Sequence, residues 1–160
     1  MKKKDIYIFL ICLLISFLPG IIGSLFTTPA IQQGWYQGLK KPILTPPNYV
    51  FAPIWTIIYV ILAFVLYFLI KKAGKLVYIK VALILFGLQL ILNGLWSYIF
   101  FGLKSPFGAL FVIILLWFLI ILCMREFKII SNRASWLLIP YFLWITYAGY
   151  LNIAIYLLNK

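Results

Sequence analysis

Residues 35–59 read WYQGLKKPILTPPNYVFAPIWTIIY, and this stretch decides the fold because it joins a proline-rich aromatic segment to a long apolar run. It contains five Trp or Tyr residues, four prolines and the adjacent pair Lys40 and Lys41. Proline lacks an amide proton and restricts the residue before it, so this stretch is a poor helix former until Pro53 is passed. The sequence therefore predicts an ordered, aromatic-lined loop that leads directly into a membrane-spanning helix, with a short helix around Trp35, Tyr36 and Leu39 before Pro42.

The composition places the rest of the chain in a membrane. Hydrophobic residues make up 66% of the 160 residues and charged residues only 10%, against about 25% charged in a soluble domain. Five stretches between the charges can each hold the ~20 apolar residues that cross a hydrocarbon core. The sequence therefore predicts an all-α integral membrane protein, a single domain over residues 1–160 that forms a five-transmembrane-helix bundle. We place the spans near Ile6–Phe26, Phe51–Ile70, Val81–Phe101, Phe107–Met124 and Trp136–Leu158, with a lid loop over 27–50.

The positive charges predict the orientation of the bundle. One side of the five spans carries Lys2, Lys3, Lys4, Lys71, Lys72, Lys75, Lys80, Arg125, Lys128 and Arg133. The other side carries only Lys40, Lys41, Lys104 and Lys160. The positive-inside rule then predicts a cytoplasmic N-terminus, with the aromatic loop and the C-terminus outside. Although the net charge of +12 could suggest nucleic acid, every Lys and Arg lies at or beyond the end of a span, so we expect no nucleic-acid partner.

The first 30 residues admit a second interpretation, a cleaved signal peptide, because MKKK precedes an apolar run. Pro19 and Gly20 interrupt that run, and Thr28-Pro29-Ala30 is a poor cleavage site, so we favour a membrane span. Cys12 and Cys123 both fall inside predicted spans. We expect them to be small apolar core residues and not a disulfide.

The residues that are missing exclude several functions. The chain has no histidine, and its two acidic residues, Asp5 and Glu126, lie at predicted membrane boundaries. Proton-coupled transporters use buried carboxylates as relays, and hydrolytic triads need a base. Metal sites need clustered His, Cys or carboxylate ligands. We therefore expect no metal site and no acid–base catalysis.

Neutral polar residues instead form a stripe on one predicted span. Gln89, Asn93 and Ser97 fall at i, i+4 and i+8, with Trp96 beside them. An unpaired amide in hydrocarbon costs several kcal/mol, so this stripe must face other helices or a cavity. Hydrogen bonds between helices and a ligand site are both open interpretations at this point.

Two other spans carry matching aromatic stripes. Phe51, Trp55 and Tyr59 share the i, i+4, i+8 spacing, and so do Trp144, Ala148 and Asn152, with Tyr141 one turn earlier. A cavity walled by indoles and amides suits a flat, apolar, aromatic ligand with a few polar substituents. Lys40 and Lys41 either contact lipid headgroups or attract an anionic edge of that ligand. We expect Trp117 and Trp136 to be interfacial anchors.

Four blocks together resemble a known family. WYQGLKKPILTPP at 35–47, FAPIWTIIY at 51–59, QLILNGLWS at 89–97 and IPYFLWITYAGYLN at 139–152 are similar, in this order, to the TspO/MBR family of tryptophan-rich sensory proteins and translocator proteins. The resemblance runs from about residue 19 to 158. It implies a five-helix bundle, commonly dimeric, whose pocket is closed by the first loop. It also implies binding of porphyrins such as protoporphyrin IX and of isoquinoline-type ligands, cholesterol binding in eukaryotic members, and light-dependent degradation of protoporphyrin in some bacterial members.

The resemblance also implies a site and a set of functions. The leading expectation is a porphyrin receptor or scavenger in a bacterial cell membrane, with the alternatives of a light-dependent porphyrin-degrading enzyme or a transporter of porphyrin or lipid-like molecules. No cofactor is required, and the expected partners are the porphyrin ligand, the lipid bilayer and a second copy of the chain. Trp55 and Trp144 are the candidate catalytic residues if the porphyrin is degraded. The implied ligand-binding residues are Trp35, Tyr36, Pro46, Pro47, Phe51, Trp55, Asn93, Trp96, Ser97, Trp144, Ala148 and Asn152.

Overall fold

A computed structural model describes residues 3–72 and 79–160, which form helices joined by short connections, with no strand in these two ranges. Five segments of the described chain are long and apolar enough to cross a membrane, so the predicted all-α, five-span membrane protein is confirmed. Lys2 and Lys75, which enter the count of positive charges, lie outside the described residues. The helices are α1 Lys3–Gln32, α2 Trp35–Gly38, α3 Asn48–Lys72, α4 Ile79–Ser97, which continues as a π-helical turn over Tyr98–Gly102, α5 Pro106–Ile130, α6 Asn132–Trp136 and α7 Ile139–Leu158.

The first span is longer than the sequence predicted. We placed its end at Phe26, but α1 continues to Gln32 with Pro19 and Pro29 inside it. A proline removes one backbone hydrogen bond, and membrane helices tolerate that loss where neighbouring packing supports the chain. Pro19 lies in such packing, since it is buried beside Gly94 of α4, whereas Pro29 is exposed and lies one turn from the end of α1. The lid loop therefore begins at residue 33 and not at 27.

The second span begins earlier than predicted, since α3 starts at Asn48 and not at Phe51, five residues before Pro53. The first amides of a helix have no partner within it, so a proline near the start removes few bonds. At the sixth position, Pro53 costs only the bond to the carbonyl of Tyr49, which lies at the exposed end of the helix. The short helix that we expected before Pro42 is confirmed as α2. Gly34 has a φ of 78°, which allows the sharp turn between α1 and α2.

The helices pack side by side in the order α3, α1, α4, α5 and α7, and aromatic side chains of α7 and α3 close the ring. Small residues let α1 approach its neighbours closely: a Cβ on Gly23 would stand 2.9 Å from the Ser97 hydroxyl, and one on Gly20 would stand 2.4 Å from a ring carbon of Tyr59. In contrast, α3 and α7 meet through large aromatic rings. At the seam between α3 and α7, side chains therefore hold the two helices together, and the backbones do not approach closely.

On the side that the charges predict to be cytoplasmic, the fourth span ends later than its predicted boundary. We ended the fourth span at Met124, but α5 runs to Ile130 through Arg125 and Lys128. Long basic side chains at a helix end extend their charged heads towards water, so a charge does not stop the helix. The fifth span starts near its predicted position, with α6 and α7 joined at Leu137 and Leu138.

Candidate functional site

A small cavity lies inside the bundle and brings together four of the predicted site residues. Trp55 of α3, Asn93 and Trp96 of α4 and Ala148 of α7 line it. Its volume is about 10 Å³, close to the smallest space that holds one water molecule. The interior site is therefore closed. The cavity is completed by Ile113, Leu116 and Ile145.

Four aromatic residues form the wall between α3 and α7, and of these only Trp55 lines the cavity. The rings of Trp55 and Trp144 are 6.5 Å apart and nearly perpendicular, at 88°. Phe51 lies 5.9 Å from Trp144, and Trp55 stacks on Tyr59 at 5.5 Å. The predicted aromatic stripes of the second and fifth spans thus face each other, and both of the candidate catalytic indoles belong to one contact.

Buried hydrogen bonds connect three helices below this wall. The Tyr59 hydroxyl donates to Asn93 Oδ1, Asn93 Nδ2 donates to the Tyr141 hydroxyl, and Tyr141 donates to Gln89 Oε1, each over 3.1 Å. Tyr141 is fully buried, and Gln89 and Asn93 are 1% and 4% exposed. The amide stripe on α4 therefore makes interhelical hydrogen bonds at Gln89 and Asn93, while Asn93 also lines the cavity.

Two buried donors, one on α4 and one on α7, are left without a partner. Among the described residues, neither Trp144 Nε1 nor Gln89 Nε2 has a hydrogen-bond acceptor, although both atoms are buried. A buried unpaired donor costs about 1–3 kcal/mol. Both groups would therefore be stabilised by an acceptor-bearing molecule that reached them.

Trp35 and Tyr36 belong to a different aromatic cluster from the cavity wall. Trp35 lies 5.8 Å from Phe100, and Tyr36 lies 5.6 Å from Phe101, on the π-helical turn that ends α4. We expected both side chains in the pocket, but neither lines the cavity. The position of α2 explains this difference, because α2 covers the end of α4 and not the α3–α7 wall. Trp96 connects the two regions, since it lines the cavity and stacks on Phe100 at 5.1 Å.

Four more predicted residues also lie away from the cavity surface. Asn152 is 1% exposed; its Oδ1 accepts from Trp96 Nε1 over 2.9 Å and its Nδ2 donates to the Pro106 carbonyl over 2.7 Å. Asn152 therefore orients Trp96. Ser97 faces Gly23 of α1, as the close approach of these helices requires. Pro46 is half-buried and Pro47 exposed in the lid loop, and neither lines the cavity.

The lid loop is attached to α7 by side-chain hydrogen bonds. Asn159 Oδ1 accepts from the Lys40 amide over 3.0 Å, and Asn159 Nδ2 donates to the Lys40 carbonyl over 2.9 Å. The Tyr147 hydroxyl donates to the Leu44 carbonyl. These contacts fix the loop at two points.

The Lys41 ammonium is also held on the lid. Its Nζ lies 4.4 Å from the centre of the Tyr36 ring and 3.4 Å from each of the carbonyl oxygens of Gln37 and Leu39. Burial lowers the pKa of the Lys41 side chain from its ordinary value. Lys41 is thus ordered at the outer rim of the site and does not line the cavity.

The sequence did not single out some of the residues that form the site. Tyr59 and Tyr141 lie on the predicted aromatic stripes, at i+4 from Trp55 and i−3 from Trp144, but they were not among the implied ligand-binding residues. Ile113 lies in an apolar helix with no polar face to orient it. Asn159 is one polar residue near the end of the sequence, and nothing in the local pattern indicated its contact with Lys40.

Five spans around a tryptophan- and amide-lined interior, covered by an aromatic loop, define a polytopic α-helical membrane protein with one central intramembrane site. The TspO/MBR family matches residues 9–158, and the chain belongs to this family. It is 38% identical to the tryptophan-rich protein TspO of Chlorobaculum tepidum over 157 residues, 98% of this chain and 99% of the relative. It is 44% identical to TspO of Archaeoglobus fulgidus over 140 residues, 88% and 89% of the two chains. The translocator protein of Bos taurus is 32% identical over 142 residues, 87% and 82% of the two chains. The chain therefore has a TspO-type role in a membrane.

Proposed function

We propose that the protein is a membrane receptor or scavenger that binds porphyrins at the interior site. The observation that carries the proposal is the contact of two indoles, Trp55 and Trp144, combined with unpaired buried donors on Trp144 and Gln89. A porphyrin offers a large apolar face for the indoles and acceptor groups for the donors. Lys40 and Lys41 at the rim supply positive charge for the carboxylates of protoporphyrin IX.

Binding requires the site to open. Pockets for small molecules have volumes of about 300–1,000 Å³, far more than the cavity of about 10 Å³ between α3, α4, α5 and α7. The seam between α3 and α7 consists of ring contacts, which can separate without breaking backbone packing. The observed association constant then equals that of the open form multiplied by the fraction of protein that is open.

Titration with protoporphyrin IX in darkness tests the proposal. Binding is measured by quenching of tryptophan fluorescence and by the shift of porphyrin absorbance. We expect Trp55→Phe and Trp144→Phe to weaken binding by a factor of about two to ten, since an aromatic contact is worth about 0.5–1.5 kcal/mol beyond its area. Trp136→Phe is the matched control because Trp136 is 68% exposed and distant from the cavity. Equal affinities in all four proteins would contradict the proposed site.

A second candidate function is light-dependent porphyrin degradation, which the contact of two oxidisable indoles at 6.5 Å favours. Photosensitised oxidation uses light and oxygen, so it needs none of the acid–base residues that the spans lack. The same proteins with bound porphyrin are followed by absorbance under illumination, with and without oxygen. A product that forms with wild type but not with Trp55→Phe or Trp144→Phe supports the enzyme. If the spectrum of the bound porphyrin is unchanged in light, the enzyme function is contradicted and only the receptor function remains.

The proposed orientation has a cytoplasmic N-terminus and an outward lid, in the cell membrane. It is supported by the excess of positive charge on the N-terminal side, where Asp5 pairs with Lys71 over 2.7 Å. The test is labelling of single cysteines in intact bacterial cells with a membrane-impermeant maleimide. Ile43→Cys on the lid should react and Lys128→Cys on α5 should not, and the buried Cys12 and Cys123 should give little background. The reverse labelling pattern would invert the orientation.

A further inference from the structure

A groove on the lipid-facing surface lies between α5 and α7, directly outside the interior cavity. Its volume is about 560 Å³, within the range of small-molecule sites. Ile113 of α5 and Ile145 of α7 line both the groove and the cavity. The two spaces are therefore separated by a wall one side chain thick. On α7, Ala148 lines the cavity and its neighbour Gly149 lines the groove.

We propose that ligand reaches the interior site laterally, from the bilayer, through this α5–α7 groove, with Ile113 and Ile145 as the gate. This inference rests on the proposed function, since it concerns the ligand of the interior site. The two isoleucines are 3% and 2% exposed, so they fill the wall in the closed state. Their side chains contribute no polar group, so a rotamer change moves them aside without breaking a hydrogen bond of their own, while separation of α5 from α7 would also break the bond from Trp117 to Thr146.

The lining of the groove defines the ligand that it accepts. Ile114, Phe118 and Leu157 are among the apolar residues that line it. Its polar side chains include Trp117 and Thr146, whose indole N–H and hydroxyl are joined over 2.9 Å, while Thr146 also donates to the Phe142 carbonyl. The Trp117 donor is thus used between the helices and is not an interfacial anchor alone. The groove suits a membrane-dissolved, uncharged ligand that has a broad apolar face. A lipid acyl chain is the other occupant that such a surface can take.

Gly149 provides a direct way to plug the groove. A Cβ built on Gly149 meets no described atom within 4 Å, so Gly149→Leu adds its side chain to open space in the groove. Gly87 of α4 is equally free of neighbours and lies outside both the groove and the cavity, which makes Gly87→Leu the matched control. Neither substitution changes the six tryptophans that report binding.

The experiment measures association and dissociation rates in phosphatidylcholine nanodiscs by stopped-flow tryptophan quenching. The probe is the dimethyl ester of protoporphyrin IX, which has no carboxylate and stays in the bilayer. We expect Gly149→Leu to slow both rates about tenfold with an unchanged Kd, because a residue on the route affects entry and exit equally. Gly87→Leu should match wild type. Ile113→Ala, which thins the wall, should accelerate association.

Different outcomes separate the route from the site. If Gly149→Leu binds and releases the ester at the same rates as wild type, the lateral route is overturned. The groove is then only a surface for acyl chains. A faster association in Asn159→Ala, without an effect of Gly149→Leu or Ile113→Ala, would assign entry to the lid and also overturn it. Failure of wild type to bind either protoporphyrin IX or its ester would overturn the proposed function itself, and the route with it.

Discussion

Replacement of Asn93 tests whether the buried polar network stabilises the bundle. Asn93 makes two side-chain hydrogen bonds of 3.1 Å, to Tyr59 and Tyr141. Hydrogen bonds between membrane helices contribute ~0.6 kcal/mol on average and at most ~1.7. Asn93→Ala should therefore lower the free energy of unfolding by about 1–3 kcal/mol. Tyr59→Phe removes only one of these bonds and keeps the stacking on Trp55, so it should cost about 0.6–1.7 kcal/mol.

A double-mutant cycle isolates the Tyr59–Asn93 bond from other effects. Unfolding of wild type, both single variants and the double variant is measured in mixed micelles with increasing sodium dodecyl sulfate. We expect a coupling free energy of about 0.6–1.7 kcal/mol. The control cycle combines Asn93→Ala with Tyr49→Phe, since Tyr49 also lies on α3 but is 78% exposed, and its coupling should be near zero. If the two cycles give the same coupling, the hydrogen bond contributes nothing and our account of the network is refuted.

Three further predictions concern the packing of α1, the lid and the rim of the site. Gly20→Ala should destabilise the protein by about 1–3 kcal/mol in the same assay, because its methyl group would stand 2.4 Å from Tyr59; unchanged stability would mean that α1 can shift. Asn159→Ala should increase proteolysis of the loop in nanodiscs, since it removes both bonds to Lys40, and equal cleavage would show that the lid needs no such attachment. Lys41→Gln should weaken binding of protoporphyrin IX but not of its dimethyl ester. In wild type, affinity for the acid should be lost as pH rises through the pKa of Lys41, which burial sets below its ordinary value; identical pH profiles for acid and ester would exclude Lys41 as the partner.

The fold was predictable because hydropathy and length constrain a membrane helix strongly. The ends of the helices were not, because they depend on tertiary packing. Pro29 lies within α1, and α5 continues past Arg125 to Ile130. Neither effect is encoded in the local pattern of apolar and charged residues. Pro53 shows the same limit, since its cost depends on how close it lies to a helix start that the sequence did not define.

The cavity wall was predictable to the extent that it follows helix periodicity. Trp55, Trp144 and Ala148 lie on the faces that the i, i+4 spacing selected. Trp35 lies against Phe100 and not on the closed cavity, because its position depends on where α2 lies across the bundle, which is a long-range property. Ile113 could not be singled out, since every face of α5 is apolar and only the packing decides which one points inward.

The two routes into the site differ in the free energy that each must overcome. Entry past the lid breaks the Asn159 contacts with Lys40, which are exposed and each worth about 0.5–1.5 kcal/mol, and it takes the ligand through water. Removing an apolar ligand from the bilayer costs about 25 cal/mol for each Å² that becomes hydrated, so a face of 200 Å² adds roughly 5 kcal/mol. Entry between Ile113 and Ile145 keeps that face in hydrocarbon throughout. The lid route therefore favours water-soluble, anionic porphyrins that can meet Lys41, and the lateral route favours their neutral forms. A comparison of acid and ester in the same nanodiscs distinguishes the two, because Gly149→Leu should slow the ester more than the acid.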